Sequence, residues 1–143
     1  MTGLEMLRAM MDRRLPAPPI AERLDFLLVE VEDGRAVFEG RPGPGLLNPL
    51  GIIHGGVALT LIDSAAGCAA HTTLGAGIGY TTVETKVNFV RAMRAGDGPV
   101  RAEGRVLSRG RQIITADARI LSAEGKLVAH GSSTLIVLPP RAR

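Results

Sequence analysis

Residues His54 to Thr72 read HGGVALTLIDSAAGCAAHT, the one stretch rich enough in Ala and Leu, and long enough, for about five helical turns. It holds no Pro, and the glycine-containing loop Gly75 to Gly79 stops it. Small and apolar residues lie almost all round such a helix, so it is expected to be buried and wrapped by sheet. Gly56, Thr60, Asp63 and Gly67 recur on it at helical spacing, with small residues on either side of its lone acid. Burying an unpaired carboxylate is costly, so Asp63 needs either a chemical task or a bond to Ser64, Thr60 or nearby backbone.

Upstream of the helix, Gly40 to Gly51 holds Pro42, Gly43, Pro44, Gly45 and Pro49 and is expected to be loop. Before that loop, Leu24 to Glu32 alternates around Phe26, Leu28 and Val31. Asp33-Gly34 then marks a turn, and Arg35 to Glu39 resumes with Val37 and Phe38, which predicts a hairpin. The first twenty residues predict a short helix and a Pro-rich joint, Pro16 to Pro19. Arg8, Arg13 and Arg14 are followed by no continuous apolar run of the kind a signal peptide carries.

Downstream, Tyr80 to Arg91, Val100 to Ser108, Gln112 to Ser122 and Lys126 to Leu138 place Val, Ile and Thr at alternating positions. Short polar breaks at 94–98, 108–111 and 123–125 read as the turns of an antiparallel meander. The expected fold is therefore α+β, with an antiparallel sheet curled round one helix in a single domain, residues 1–143. Pairing of the edge at Tyr80 to Arg91 with a second copy of the chain is one remedy for an exposed strand.

Composition narrows the function. The chain has 143 residues, 45% of them hydrophobic and 22% charged, a globular balance. With no Trp, one Tyr and three Phe, base-stacking surfaces are hard to build, so a nucleic-acid partner is not expected. No uninterrupted run of eighteen apolar residues is present, which argues against a membrane span. The single Cys68 forms no intrachain disulfide and reads as core. His71 and His130 have no spaced partner, so no metal site is expected, and the thiol usage fits a cytoplasmic setting. The net charge of +3, nearly all from Arg, reads either as a solvated surface or as a site for a small polyanion.

The run Asn48-Pro-Leu-Gly-Ile-Ile-His54-Gly55-Gly56, followed by Asp63, resembles the PaaI-type thioesterases of the hot-dog superfamily. In that superfamily an HGG turn opens the central helix and a carboxylate lies inside it. The resemblance spans about Leu24 to Val137. It implies hydrolysis of an acyl-CoA thioester to free acid and coenzyme A, without metal or organic cofactor, by a homodimer or homotetramer. Coenzyme A would also suit the polyanion reading of the charge.

The chemistry supports each position. Thioester cleavage builds negative charge on a carbonyl oxygen, and a helix N-terminus offers free N–H groups and a positive dipole end. Gly55 is the expected donor, with Gly56 beside it allowing the tight turn at His54. Asp63 is the expected nucleophile or general base. Asn48 is expected to hold the water or thioester, or to form an Asx turn before Pro49. His54 is read as support. Thr82, or Thr81 if the loop shifts by one residue, is expected near the attacking water; Glu84 reads either as a second acid or, by alternation with Thr82 and Lys86, as part of a plain polar strand face. Arg91, Arg94, Arg109 and Arg111 are candidates for the coenzyme's phosphates, with Gly110 leaving backbone N–H groups open to an anion.

Gly55 and Asp63 lie eight residues apart, about 12 Å along one helix, so one carbonyl meets both groups only if two chains contribute. A hot-dog hydratase would need His54 as its base. A non-catalytic acyl-CoA sensor would carry a DNA-binding segment, for which the residues before Leu24 are too few.

Overall fold

A computed structural model describes residues 1–140; the last three residues of the expected domain lie outside the described residues. The central helix, α3, spans Gly55–His71, flanked by His54 and Thr72 as its caps. Gly56 N–H donates to His54 Nδ1 at 2.8 Å, closing one of the orphan donors of the first turn. A Cβ at Gly56 would stand 2.9 Å from that nitrogen, so the glycine makes room for the cap. At the other end the buried Thr72 hydroxyl donates to Ala69 O at 2.6 Å and accepts from Gly34 N at 2.7 Å, tying the helix end to a strand turn.

Before α3 come α1 (Gly3–Met11), α2 (Pro19–Leu24) and the strands β1 (Phe26–Glu32) and β2 (Arg35–Gly40). After it come β3 (Gly79–Phe89), β4 (Val100–Arg109), β5 (Ile113–Leu121) and β6 (Leu127–Leu138). The Pro-rich joint thus runs into a helix, because Pro19 occupies its first turn, where a missing N–H costs nothing. The proline-rich loop is likewise not wholly irregular: Pro44–Leu46 forms one 3-10 turn, and Leu47 bridges Ile53.

The strands form one antiparallel sheet in the order β1-β2-β4-β5-β6-β3, the hot-dog arrangement of a sheet curled round a single long helix. The expected meander holds only for β4, β5 and β6. β3 pairs with β6 at the far edge, so the chain after it crosses the N-terminal end of α3 instead of turning directly into β4. Met93 anchors this crossover; it is buried, and its carbonyl accepts from Ile53 N at 2.9 Å.

Helix and sheet share one core. Leu61 and Ile62 of α3 are at most 1% exposed and pack with Ile114, Ile120 and Leu135 of the inner sheet face. Burial of such a side chain stabilises by about 1.5–3 kcal/mol. The alanines Ala65, Ala66, Ala69 and Ala70 let the sheet close on the helix backbone. Contact is closest at Gly104 of β4, where a Cβ would fall 2.1 Å from Ala65 O. Gly104→Ala would therefore force helix and sheet apart.

Candidate active site

Asp63 projects from the middle of α3 toward β3. Thr82 Oγ1 donates to Asp63 Oδ1 at 2.9 Å, and Thr85 Oγ1 makes a longer contact to the same oxygen at 3.4 Å. The partners anticipated within the helix, Ser64 and Thr60, do not hold it; Thr60 donates instead to Gly56 O at 2.9 Å. Asp63 Oδ2 makes no hydrogen bond among the described residues. It is not sealed off either, since among the described residues no buried side-chain oxygen lacks a partner. One carboxylate oxygen is thus fixed and the other is open to a ligand.

Two threonines three residues apart reach one carboxylate because β3 bulges. Thr82 pairs with Leu135 and Glu84 with Thr134, so Val83 is the extra residue and the side-chain alternation reverses there. The expectation that Thr82, Glu84 and Lys86 share a face is therefore wrong. Thr82 and Thr85 face the helix, while the exposed Glu84 accepts from Thr134 Oγ1 at 2.6 Å. Of Thr81 and Thr82, it is Thr82 that meets Asp63.

Sequence reasoning missed Thr85 and Ser133 altogether. The fully buried Ser133 hydroxyl lies 3.2 Å from Thr85 Oγ1 and donates to Glu84 O at 3.2 Å, extending the chain of hydroxyls away from Asp63. Only the bulge brings them in, and no Gly or Pro marks it.

At the N-terminus of α3, Gly56 N–H is taken by His54, whereas Gly55 N–H has no acceptor among the described residues. Gly55 lines a cleft of about 370 Å³ with Asn48, Ile52, Phe89, Arg91 and Met93. A Cβ at Gly55 would meet the Phe89 ring at 3.2 Å, so a larger residue would narrow the approach to this N–H. The Asn48 side chain braces the loop: its Oδ1 accepts from Leu50 N at 3.0 Å and Ile52 N at 3.3 Å. The anticipated Asx turn is therefore formed, and only the amide nitrogen is left to reach a ligand. His54 Nδ1 is likewise occupied, accepting from Gly56 N–H in the cap.

The basic residues divide between the two ends of α3. Arg91 lines the Gly55 cleft, and Arg94 lines the adjoining one with Arg91 and Lys126. Arg109 sits at the opposite end, donating to Thr73 Oγ1 at 3.1 Å and to Gly110 O. Arg111 is exposed beside it. The expected anion cradle at Gly110 does not form, because its N–H is closed by Ile113 O at 2.8 Å within the turn. The turn can offer side-chain charge but not that backbone donor.

Cys68 and Tyr80 lie near the carboxylate. Burial, then the charge of Asp63, push the Cys68 thiol up to about 12. Burial likewise raises the Tyr80 phenol, with Cys68 and Asp63 adding to it. Among the described residues no cluster of three or more His, Cys, Asp or Glu is placed to hold a metal, and no helix is long and apolar enough to cross a membrane.

Comparison with known proteins places these features in context. Residues 50–129 match the family profile described as Thioesterase superfamily. The Saccharolobus solfataricus protein named Putative esterase SSO2140 is 33% identical over 122 residues, 85% of each chain. Among solved structures, the E. coli PaaI protein from the phenylacetic acid degradation operon superposes with a TM-score of 0.85. It is 21% identical, with 97% of this chain and 98% of that one covered. The smu.793 protein of Streptococcus mutans UA159, solved with acetyl CoA bound, gives a TM-score of 0.74 at 26% identity, over 82% and 91% of the two chains.

Proposed function

The chain belongs to the thioesterase superfamily, and from that premise we propose that it hydrolyses acyl-CoA thioesters at a site assembled from two copies of itself. The observation that carries this reading is the state of Asp63: Oδ1 held by Thr82 and Thr85, Oδ2 open, on a helix whose N-terminal Gly55 N–H is unused. A carboxylate fixed through one oxygen presents the other in a defined direction, as a base or nucleophile requires.

The two groups lie about 12 Å apart along α3, too far to act on one carbonyl. Two helices side by side and antiparallel would set Gly55 of one chain against Asp63 of the other. The β3 edge offers the surface for that pairing. Val83, Phe89 and Val90 are 60%, 62% and 53% exposed there, and Leu59 of α3 is 42% exposed.

In the reaction, the thioester carbonyl oxygen accepts from Gly55 N–H at the positive end of the helix dipole. Asp63 Oδ2 removes a proton from water as the water oxygen bonds to the carbonyl carbon. The C–S bond then breaks, coenzyme A leaves as thiolate and takes up a proton, and the acid remains. In the alternative course Oδ2 itself attacks, and water opens the resulting mixed anhydride to the same products. Coenzyme A as the leaving group is supported by the acetyl CoA bound in the S. mutans relative and by Arg91 and Arg94 beside Gly55. The hydratase alternative loses support because His54 Nδ1 is taken by its cap.

A subunit-mixing experiment tests both the chemistry and the sharing. Asp63→Asn removes the base, and Gly55→Pro removes the N–H at a first-turn position where proline suits the helix. Each variant alone should lose about a hundredfold or more of thiol release from acyl-CoA. Unfolded together in equal amounts and refolded, they should regain about a quarter of wild-type activity, since half the dimers then hold one intact site. No recovery would place the site within one chain, and full activity of Asp63→Asn would remove Asp63 from the mechanism.

A further inference from the structure

One helical turn beyond Asp63, Gly67 is buried beneath Tyr80. A Cβ at Gly67 would come 2.8 Å from Tyr80 Oη and 3.2 Å from the ring. Asp63 with Thr82 and Gly67 with Tyr80 thus form two successive rungs between helix and strand. The rungs are four residues apart on α3 and two apart on β3, about 6 Å and about 6.7 Å respectively. The agreement of these spacings puts the phenol one rung along from the carboxylate, on the face that carries it. The ring is braced from behind by His71, with centroids 5.4 Å apart.

Tyr80 Oη makes no hydrogen bond among the described residues, and it is not a sealed orphan. Tyr80 also lines a cleft of about 650 Å³ with Met1, Met6, His71, Ile78 and Leu138. Tyr80 thus belongs both to the rung next to the carboxylate and to the wall of a partly apolar space that His71, the last residue of α3, also lines.

We propose that Tyr80 is a specificity-determining residue that ends the acyl pocket about one helical turn beyond the thioester carbonyl, restricting the substrate to short-chain acyl groups. This rests on the thioesterase reading above. An acyl group whose carbonyl lies at Asp63 and whose chain follows the small-residue stripe toward Gly67 meets the phenol before it reaches the cleft. The Gly67 side of the stripe gives it width, and Tyr80 sets its length. With the ring removed, pocket and cleft become continuous, and the methionines, Ile78 and Leu138 are available to a longer chain.

The test reads two quantities on one series of chains, acetyl, butyryl, hexanoyl, octanoyl and dodecanoyl. One is thiol release from the CoA thioesters. The other is calorimetric binding of the matching non-hydrolysable CoA thioethers. Wild type and Tyr80→Phe, which keeps the ring, should prefer the short members. In Tyr80→Ala, and in Tyr80→Leu as the variant that keeps an apolar contact on Gly67, the ratio of dodecanoyl to butyryl should rise roughly tenfold or more in both readouts.

A uniform fall for all chains in both variants would reduce Tyr80 to a packing residue and overturn the proposal. So would a wild type that already takes dodecanoyl as well as butyryl. The binding series separates this failure from that of the underlying reading. A shifted binding profile without any hydrolysis would keep Tyr80 as the gauge and remove the enzyme, whereas hydrolysis with an unshifted profile would do the reverse. Absence of both binding and hydrolysis would overturn both.

Discussion

Leu27 on one edge strand of the sheet, β1, and Val83 on the other, β3, are exposed to nearly the same degree, 59% and 60%. Their surroundings differ. On β1, Leu27 borders the groove that α1 covers, and the sheet's outer face nearby carries an ion-pair network. Arg35 reaches Glu30 at 2.8 Å and Glu32 and Glu103 at 2.9 Å, and Arg101 meets Glu30 at 2.7 Å. Among the described residues no helix but α3, on the inner face, packs against β3. Phe89 at the end of β3, Val90 just after it, Leu59 on α3 with Asp63 and Gly55, and Leu50 in the loop before α3 are all exposed. An edge already blunted by charge and cover has little to offer a partner, whereas the bare one, on the reading proposed above, is where a second copy pairs. Exposure of a single side chain therefore says little, and what adjoins it decides.

The largest effect expected from this contrast is on assembly. Val83→Lys should block strand pairing at β3, lower the mass seen in sedimentation toward that of one chain, and remove thioester hydrolysis with it. Leu27→Lys, equally exposed at the start, should leave both mass and activity near wild type. If Leu27→Lys dissociates the protein and Val83→Lys does not, the two edges have been assigned the wrong way round.

A smaller effect lies in the β1 network itself. Arg35 is only 15% exposed and serves three carboxylates, so Arg35→Met should cost about 1–2 kcal/mol in urea unfolding without changing the mass. Bonds from Arg101 and then Arg35 hold the Glu30 carboxyl below its ordinary 4.5. At Glu103 burial pushes upward, but Arg105 and Arg35 outweigh it. Carboxyls lowered on folding contribute stability above their unfolded range and lose it as pH falls through the folded one. The gap between wild type and Arg35→Met should therefore be full at pH 7 and narrow as pH falls below the carboxyls' ordinary 4.5. A gap that is constant with pH would mean that packing, not charge, is lost.

The same contrast marks what could be read from sequence. The bounds of α3 were legible to one residue at each end, because an Ala-rich run without Pro is bracketed by residues able to cap it. The edge role of β3 was legible too, but its place beside β6 was not. Alternation records which face a residue takes, not which strand lies next to it, and the crossover is held by Met93 and Ile53, far apart in sequence. At the site, Asp63 stood out as a lone acid in an apolar helix, and Gly55 by its place at the helix start. Thr85 and Ser133 did not, because a one-residue bulge at Val83 inverts the phase on which any reading of that strand depends. Gly110 looked open because glycine lacks a side chain, yet its N–H is consumed by the turn it makes possible.

The smallest effect tests the cover at the β1 side. Cys68 lies at an apolar cleft of about 430 Å³ between α1 and β1, with Leu7, Met10 and Leu28 among its walls. There the thiol is pushed from 9.0 up to about 12, first by burial and then by the Asp63 charge. An acid whose pKa rises on folding keeps its proton in the native state while the unfolded chain loses it. Unfolding then releases a proton, and stability falls as pH rises above about 9. Between pH 8 and pH 10 this amounts to about 1.4 kcal/mol, about one pKa unit of differential protonation. Denaturation of wild type and Cys68→Ala across that range isolates the contribution, since any part due to Tyr80 is common to both. A difference that shrinks by this amount toward alkaline pH would mean that α1 keeps water from the thiol. A difference independent of pH would mean that the native thiol ionises as freely as the unfolded one, and that α1 covers this side of the sheet no better than solvent covers β3.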